Sequence, residues 1–117
     1  MKYVYASRTG NVESIVRRLE LDALCLETGG EMMDEPFILF TYTDGYGDVP
    51  GEVEDFLSSN SQNLKGVIVS GDTGYGEAYC AAGDVISETY HVPCLYKVEN
   101  EGTEDDLAAI RRALLSV

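Results

Sequence analysis

Two uninterrupted apolar runs, Phe37-Ile38-Leu39-Phe40-Thr41 and Val67-Ile68-Val69-Ser70, constrain this chain more than anything else in it. A strand with one wet face alternates apolar and polar residues, whereas a strand covered on both faces reads apolar throughout. Sheets covered on both faces are mostly parallel, and parallel neighbours need a crossover between them, usually a helix. The segment between the runs supplies one, because Val49, Val53, Phe56 and Leu57 recur at helical spacing.

The same alternation runs outward in both directions. Tyr3-Val4-Tyr5-Ala6 reads as a strand, Val12, Ile15, Val16 and Leu19 as a helix face, and Ala23-Leu24-Cys25-Leu26 as a second strand before a polar stretch at Thr28-Gly29-Gly30. Later, Tyr79, Ala82, Gly83, Ile86 and Tyr90 share a helix face, with Cys80 in the same helix. Cys94-Leu95-Tyr96-Lys97-Val98 makes a fifth strand, where Lys97 marks a solvated edge. Gly102-Thr103 opens a last helix with Thr103 as N-cap and Leu107, Ile110, Leu114 and Val117 facing inward. Five strands alternating with four helices predict one α/β domain over residues 1–117, a doubly wound, five-stranded parallel sheet in the flavodoxin-like order 2-1-3-4-5 with helices on both faces. Ligands of such sheets sit beyond the carboxyl ends of the strands, at the switch between strands 1 and 3, and FMN binds there in sheets of this order.

Three loops fall at that edge. The first is Ser7-Arg8-Thr9-Gly10-Asn11, leading straight into a helix. Helix N-termini carry N–H groups without intrahelical partners and partial positive charge, and hydroxyls and a glycine beside them suit a phosphate. An equal reading is that Thr9 or Asn11 merely caps the helix. The second loop is Thr41-Tyr42-Thr43-Asp44-Gly45-Tyr46-Gly47-Asp48-Val49-Pro50, and the third is Gly71-Asp72-Thr73-Gly74-Tyr75-Gly76-Glu77. Each carries a tyrosine among glycines. Such a ring contributes little to folding, but against a planar ligand it contributes about 0.5–1.5 kcal/mol beyond area burial. The alternative is that Gly45, Gly47, Gly74 and Gly76 only make turns while the tyrosines cover the core. Two such loops beside a phosphate cradle favour a phosphorylated planar cofactor.

Charge narrows the partners. Twenty-one acidic residues against 8 basic give a net charge of −13, which argues against nucleic acid or anionic lipid. It suits docking on a basic surface, although solubility alone also produces acidic chains. The three cysteines, Cys25, Cys80 and Cys94, share no metal or disulfide spacing and are expected as buried thiols. With His91 the only histidine, neither a His-based metal site nor a Ser-His-Asp triad is expected. No apolar run approaches the roughly 20 residues of a membrane span. The first strand begins almost at Met1, leaving no signal peptide, so a cytoplasmic protein is expected.

The chain resembles the NrdI family, the flavodoxin-like activators of class Ib ribonucleotide reductase. The similar segments are Ser7-Arg8-Thr9-Gly10-Asn11-Val12, residues 36–41 with the loop through Val49-Pro50, residues 66–71, Tyr75-Gly76, Val92-Pro93 and Gly102-Thr103-Glu104-Asp105. Departures are Tyr75, where the family often has tryptophan, and Asp72 and Ala78, where asparagine is common. The resemblance implies a non-covalent FMN protein, an accessory redox flavoprotein without a stable substrate of its own. Its reduced flavin, supplied by a flavin-reducing electron donor, reacts with molecular oxygen. The superoxide or peroxide formed passes to the reductase small subunit, for assembly of a dimanganese–tyrosyl radical cofactor. Carried over by position, Ser7, Arg8, Thr9, Gly10, Asn11 and Val12 hold the phosphate. Thr43, Asp44, Gly45, Tyr46 and Gly47 border the isoalloxazine with Gly71, Asp72, Tyr75 and Gly76. Tyr75 stacks on the ring, and the peptide at Gly45 turns toward flavin N5 on reduction. An acidic rim of Asp44, Asp48, Glu52, Asp72 and Glu77 opposes charge on the reduced ring and docks the partner.

Two rivals remain. One is a plain flavodoxin acting only as an electron carrier, usually a longer chain with an insertion not found here. The other is a flavin-free interaction module on the same fold. A low-molecular-weight phosphatase or arsenate reductase is excluded, because no cysteine opens a phosphate loop with an arginine following.

Overall fold

A computed structural model describes every residue from Met1 to Val117. The strands are β1 (Lys2–Tyr5), β2 (Ala23–Cys25), β3 (Phe37–Tyr42), β4 (Leu64–Gly71) and β5 (Cys94–Glu99). The helices are α1 (Asn11–Arg18), α2 (Gly51–Asn60), α3 (Ala81–Tyr90) and α4 (Glu104–Leu115). All strand pairs are parallel, and the order is β2-β1-β3-β4-β5. The switch between β1 and β3 therefore stands where the alternation of apolar runs places it.

The unbroken apolar reading of β3 has a direct cause. Side chains alternate across a strand, and here both faces are covered. Phe37 and Leu39 join Val4, Val53, Phe56, Leu57, Val67 and Ile86 in the layer under α2 and α3. Ile38 and Phe40 join Val12, Ile15, Val16, Ile68, Leu107 and Ile110 in the layer under α1 and α4. Phe37 meets Phe56 edge to face with centroids 5.5 Å apart.

Some expectations shift at the element ends. Val49 and Tyr79 precede their helices rather than start them, and Cys80 occupies the position before α3 with a left-handed φ of 54°. There the chain bends from the loop after β4 back onto the sheet, and the thiol, fully buried, donates to the carbonyls of Val69 and Val98. Cys25 and Cys94 are only partly buried, since both sit on outer strands with less cover. Val117 lies past the end of α4 and is exposed, so it does not continue the inward face of Leu107 and Ile110.

Two local anion sites are filled by the chain itself. Thr103 Oγ1 accepts the N–H of Asp106 at 3.2 Å, and Asp106 Oδ2 accepts the N–H of Thr103 at 2.8 Å, a reciprocal cap on α4. After β2, the Glu31 carboxylate accepts the amides of Glu27, Thr28 and Gly29 at 2.8, 3.2 and 2.9 Å. These hydrogen bonds, that of Glu27 first, hold its pKa down to about 2. The buried Asn60 side chain ties this segment to α2, accepting the amide of Met33 and donating to the carbonyl of Glu31.

Candidate functional site

The N-terminus of α1 is built differently from that of α4. Its N-cap is Gly10, at φ 94°, a left-handed conformation that glycine adopts without steric penalty. Neither Thr9 nor Asn11 caps the helix. Ser7 Oγ instead accepts the more distant N–H of Glu13, at 3.3 Å. The amides of Arg8, Thr9, Gly10, Asn11 and Val12 donate to no acceptor in the protein. Arg8, Thr9 and Gly10 are exposed, so these first-turn donors are open to solvent or to a ligand.

Four residues of this row, Arg8, Thr9, Asn11 and Val12, line a cleft of about 150 Å³ at the carboxyl edge of the sheet. Ser7, Arg8, Thr9, Asn11, Val12, Thr43, Gly45, Gly71, Asp72 and Tyr75 line it. Gly10, Asp44, Tyr46, Gly47 and Gly76 are not among the lining residues. Five lining residues were missed by sequence reasoning: Tyr42, Ser70, Ala78, Cys80 and Asn100. Tyr42 and Ser70 end the two apolar strands, so strand termini at the switch point were a usable signal. Asn100 comes from the loop after β5, where Ser70 Oγ donates to its carbonyl at 2.6 Å and its amide donates to that of Gly71 at 2.8 Å. Nothing in its immediate sequence distinguishes it from an ordinary turn residue.

The loop after β3 closes on itself. The amide of Asp44 donates to Asp48 O at 2.9 Å and that of Asp48 to Asp44 O at 2.8 Å, around Gly45 at φ 49° and Gly47 at φ 105°. Gly47 is wedged against α3, where a Cβ would come within 2.9 Å of Ala81 Cβ. Tyr46 is 82% exposed at the tip, and Tyr75, on the loop after β4, is 46% exposed. Their rings meet edge to face, centroids 5.2 Å apart at 85°. The two tyrosines therefore do not cover the core; they touch each other across the mouth of the cleft. Thr43 Oγ1 is shielded from solvent and has no hydrogen-bond partner. An unpartnered buried hydroxyl in a cleft wall fits a site made for a polar ligand.

Charges around the cleft are mostly engaged. Arg8 Nη1 donates to Asp44 Oδ1 at 2.7 Å, and its guanidinium carbon stands 5.0 Å from the centre of the Tyr42 ring. Tyr42 in turn donates to Glu52 Oε2 at 2.8 Å, and burial together with that carboxylate pushes its pKa up to about 12. Asp72 Oδ1 accepts the amide of Gly74 at 2.8 Å, and Thr73 Oγ1 donates to the Glu99 carboxylate. Of the five acidic rim residues, Asp48 and Glu77 alone use no side-chain oxygen within the protein. Behind the wall, Gly71 packs so closely that a Cβ would lie 2.9 Å from the Cys80 amide nitrogen.

A phosphate in the cleft would find the unpartnered amides of Arg8, Thr9, Asn11 and Val12 and the Ser7 and Thr9 hydroxyls among its lining residues, and a flat ring would find the loops of Gly45 and Tyr75. The residues present fit FMN. No helix is long and apolar enough to cross a membrane.

Comparison with known proteins agrees with the architecture. A solved short-chain flavodoxin associated with a non-canonical PDU bacterial microcompartment superimposes with TM-score 0.72 at 22% identity, over 98% of this chain and 95% of that one. The two-electron reduced flavodoxin of Megasphaera elsdenii does so with TM-score 0.65 at 18% identity, over 100% of both chains. At these identities they establish the fold. In sequence, the Protein NrdI of Macrococcus caseolyticus (strain JCSC5402) is 40% identical over 107 residues, 92% of this chain and 83% of that protein. The family described as NrdI Flavodoxin like matches residues 3–112. The chain belongs to the NrdI flavodoxin-like family.

Proposed function

We propose that this protein is an FMN flavoprotein of the cytoplasm that serves class Ib ribonucleotide reductase. When bound and reduced by an electron donor, the flavin passes electrons to molecular oxygen, and the oxidant goes to the reductase small subunit for assembly of its dimanganese–tyrosyl radical cofactor. One observation carries the cofactor reading: four residues with unpartnered amides, Arg8, Thr9, Asn11 and Val12, line a cleft whose wall also holds the unpaired hydroxyl of Thr43. With no lysine and a single arginine in the first loop, neutral N–H and O–H donors hold the phosphate, aided by the helix dipole. Tyr75 offers its face to the ring once it leaves Tyr46, and Gly45 leaves a peptide beside the ring edge free to turn. The link to the reductase rests on family membership.

The rival is a flavodoxin that only carries electrons. Chain length does not separate the two, because a short-chain flavodoxin matches 98% of this chain. Oxidation kinetics do. The purified protein is reconstituted with FMN, reduced without oxygen, and mixed with oxygenated buffer with and without the manganese-loaded small subunit. Tyrosyl radical in the subunit, formed only when the flavoprotein is present, is the expected result. Flavin oxidation without any radical sinks the activator reading and leaves the carrier.

A further inference from the structure

We propose that Arg8 is a positioning residue that latches the loop at residues 42–48 across the mouth of the cleft, and that it does not hold the phosphate. A guanidinium in a phosphate loop normally forks onto the phosphate. Here it reaches away, 36 positions along the chain, to Asp44 at 2.7 Å, and lies over the ring of Tyr42 at 5.0 Å. Tyr42 is the last residue of β3, and Asp44 lies in the loop that follows it. Tyr42 is itself fixed by its hydrogen bond to Glu52 on α2, so the arginine stacks on an anchored ring. Asp44 in turn closes the five-residue turn through its own amide and carbonyl with Asp48. The latch therefore joins the two loops that flank the strand switch, and the backbone amides are left to face the ligand.

The arrangement also sets charge. Resting on the reading that the cleft takes FMN, Asp44 is one of two carboxylates of the turn that borders the ring, the other being the unpaired Asp48, which is common to every variant below. Paired with Arg8, Asp44 adds no net charge there. Unpaired it would oppose an electron entering the flavin, and an unpaired guanidinium would favour one. Neutralising the phosphate and neutralising Asp44 are two different jobs for a single cation, and the geometry assigns the second.

Four proteins test it: wild type, Arg8→Gln, Asp44→Asn and the double variant. In the ligand-free protein, hydrogen exchange at the Asp44 and Asp48 amides should quicken about two- to fivefold in each single variant, as for loss of an exposed ion pair, and no further in the double. Arg8→Gln should weaken FMN and riboflavin by the same small factor. The flavin midpoint potential should move down in Arg8→Gln, up in Asp44→Asn, and return toward wild type in the double. Loosening of the loop alone would move both single variants in one direction, and that result overturns the charge role. A loss of FMN affinity far larger than that of riboflavin in Arg8→Gln makes Arg8 a phosphate ligand and overturns the latch. If the wild type takes up no flavin, the cofactor reading fails by itself, and the exchange rates alone decide the latch: unchanged rates refute it.

Discussion

The N-termini of α1 and α4 pose the same physical problem and receive opposite answers. Each follows a strand of the same sheet, at the same edge, and each begins with amides that lack intrahelical partners. At α4 the chain closes the terminus with Thr103 and Asp106. At α1 hydroxyl and amide side chains stand next to the start, yet Gly10 takes the cap and five amides stay open. The segment after β2 follows the first pattern, with Glu31 filling three amides. Self-capping is not general in this chain, since α2 after Pro50 and α3 after Cys80 also begin without a side-chain cap. What sets α1 apart is the left-handed glycine at its cap and the cleft before it, whose wall includes Arg8, Thr9, Asn11 and Val12.

The largest expected effect comes from stripping hydroxyls from the open terminus. Ser7→Ala with Thr9→Ala removes two donors to a charged phosphate, each worth about 1.5–3 kcal/mol. FMN affinity should fall by roughly 100-fold or more, with riboflavin nearly unaffected. Calorimetric titration with both flavins reads this, and equal losses would erase the contrast between the termini.

Next is the closed terminus. Thr103→Ala should lower the unfolding free energy by about 1 kcal/mol, whereas Thr9→Ala should leave it unchanged, because Thr9 makes no hydrogen bond in the folded protein. Urea denaturation of the two variants compares them directly. A destabilisation by Thr9→Ala as large as that of Thr103→Ala would mean that α1 is capped after all.

A smaller effect is written in acid. Glu31 has its pKa lowered from 4.5 to about 2 by the backbone amides it accepts, and Asp106 is lowered by Tyr96 and Thr103. A carboxylate with a depressed folded pKa stabilises fully above its unfolded value, and that stability drains away as pH falls through the folded one. Wild-type stability should therefore decline from pH 4.5 toward pH 2, and Glu31→Gln should make that limb shallower while lowering the plateau above it. Solvent screening at this exposed site keeps the change modest. Parallel acid limbs for the two proteins would remove Glu31 from the account.

The smallest effect concerns the loop tips. Tyr46 is so exposed that Tyr46→Ala should change stability by less than about 0.5 kcal/mol. A larger loss in thermal unfolding would show that the Tyr46–Tyr75 contact holds the two loops together as structure.

Much of this was legible in one dimension. Runs such as residues 37–41 report burial on both faces, because burial acts on each side chain separately and leaves its mark in sequence order. Thr103 announces a cap, because the amide it accepts lies within three residues. The glycine loops located the cleft through topology. Other features depend on residues far apart in sequence. The pairing of Arg8 with Asp44, 36 residues away, has no trace in the first loop's own sequence. Tyr46 and Tyr75 read as separate candidates until the sheet brings their loops together.

By itself, then, the sequence determined the alternation of elements, the two covered faces, the strand order and the edge at which the cleft opens. These follow from local periodicity and from the few topologies that parallel strands permit. Tertiary structure decided which donors remain unspent, which carboxylates of the rim are neutralised, and that Asn100 closes the cleft from a loop with no motif. Hydrogen bonds and ion pairs are assigned by distance, and distances between loops do not exist until the sheet has set them.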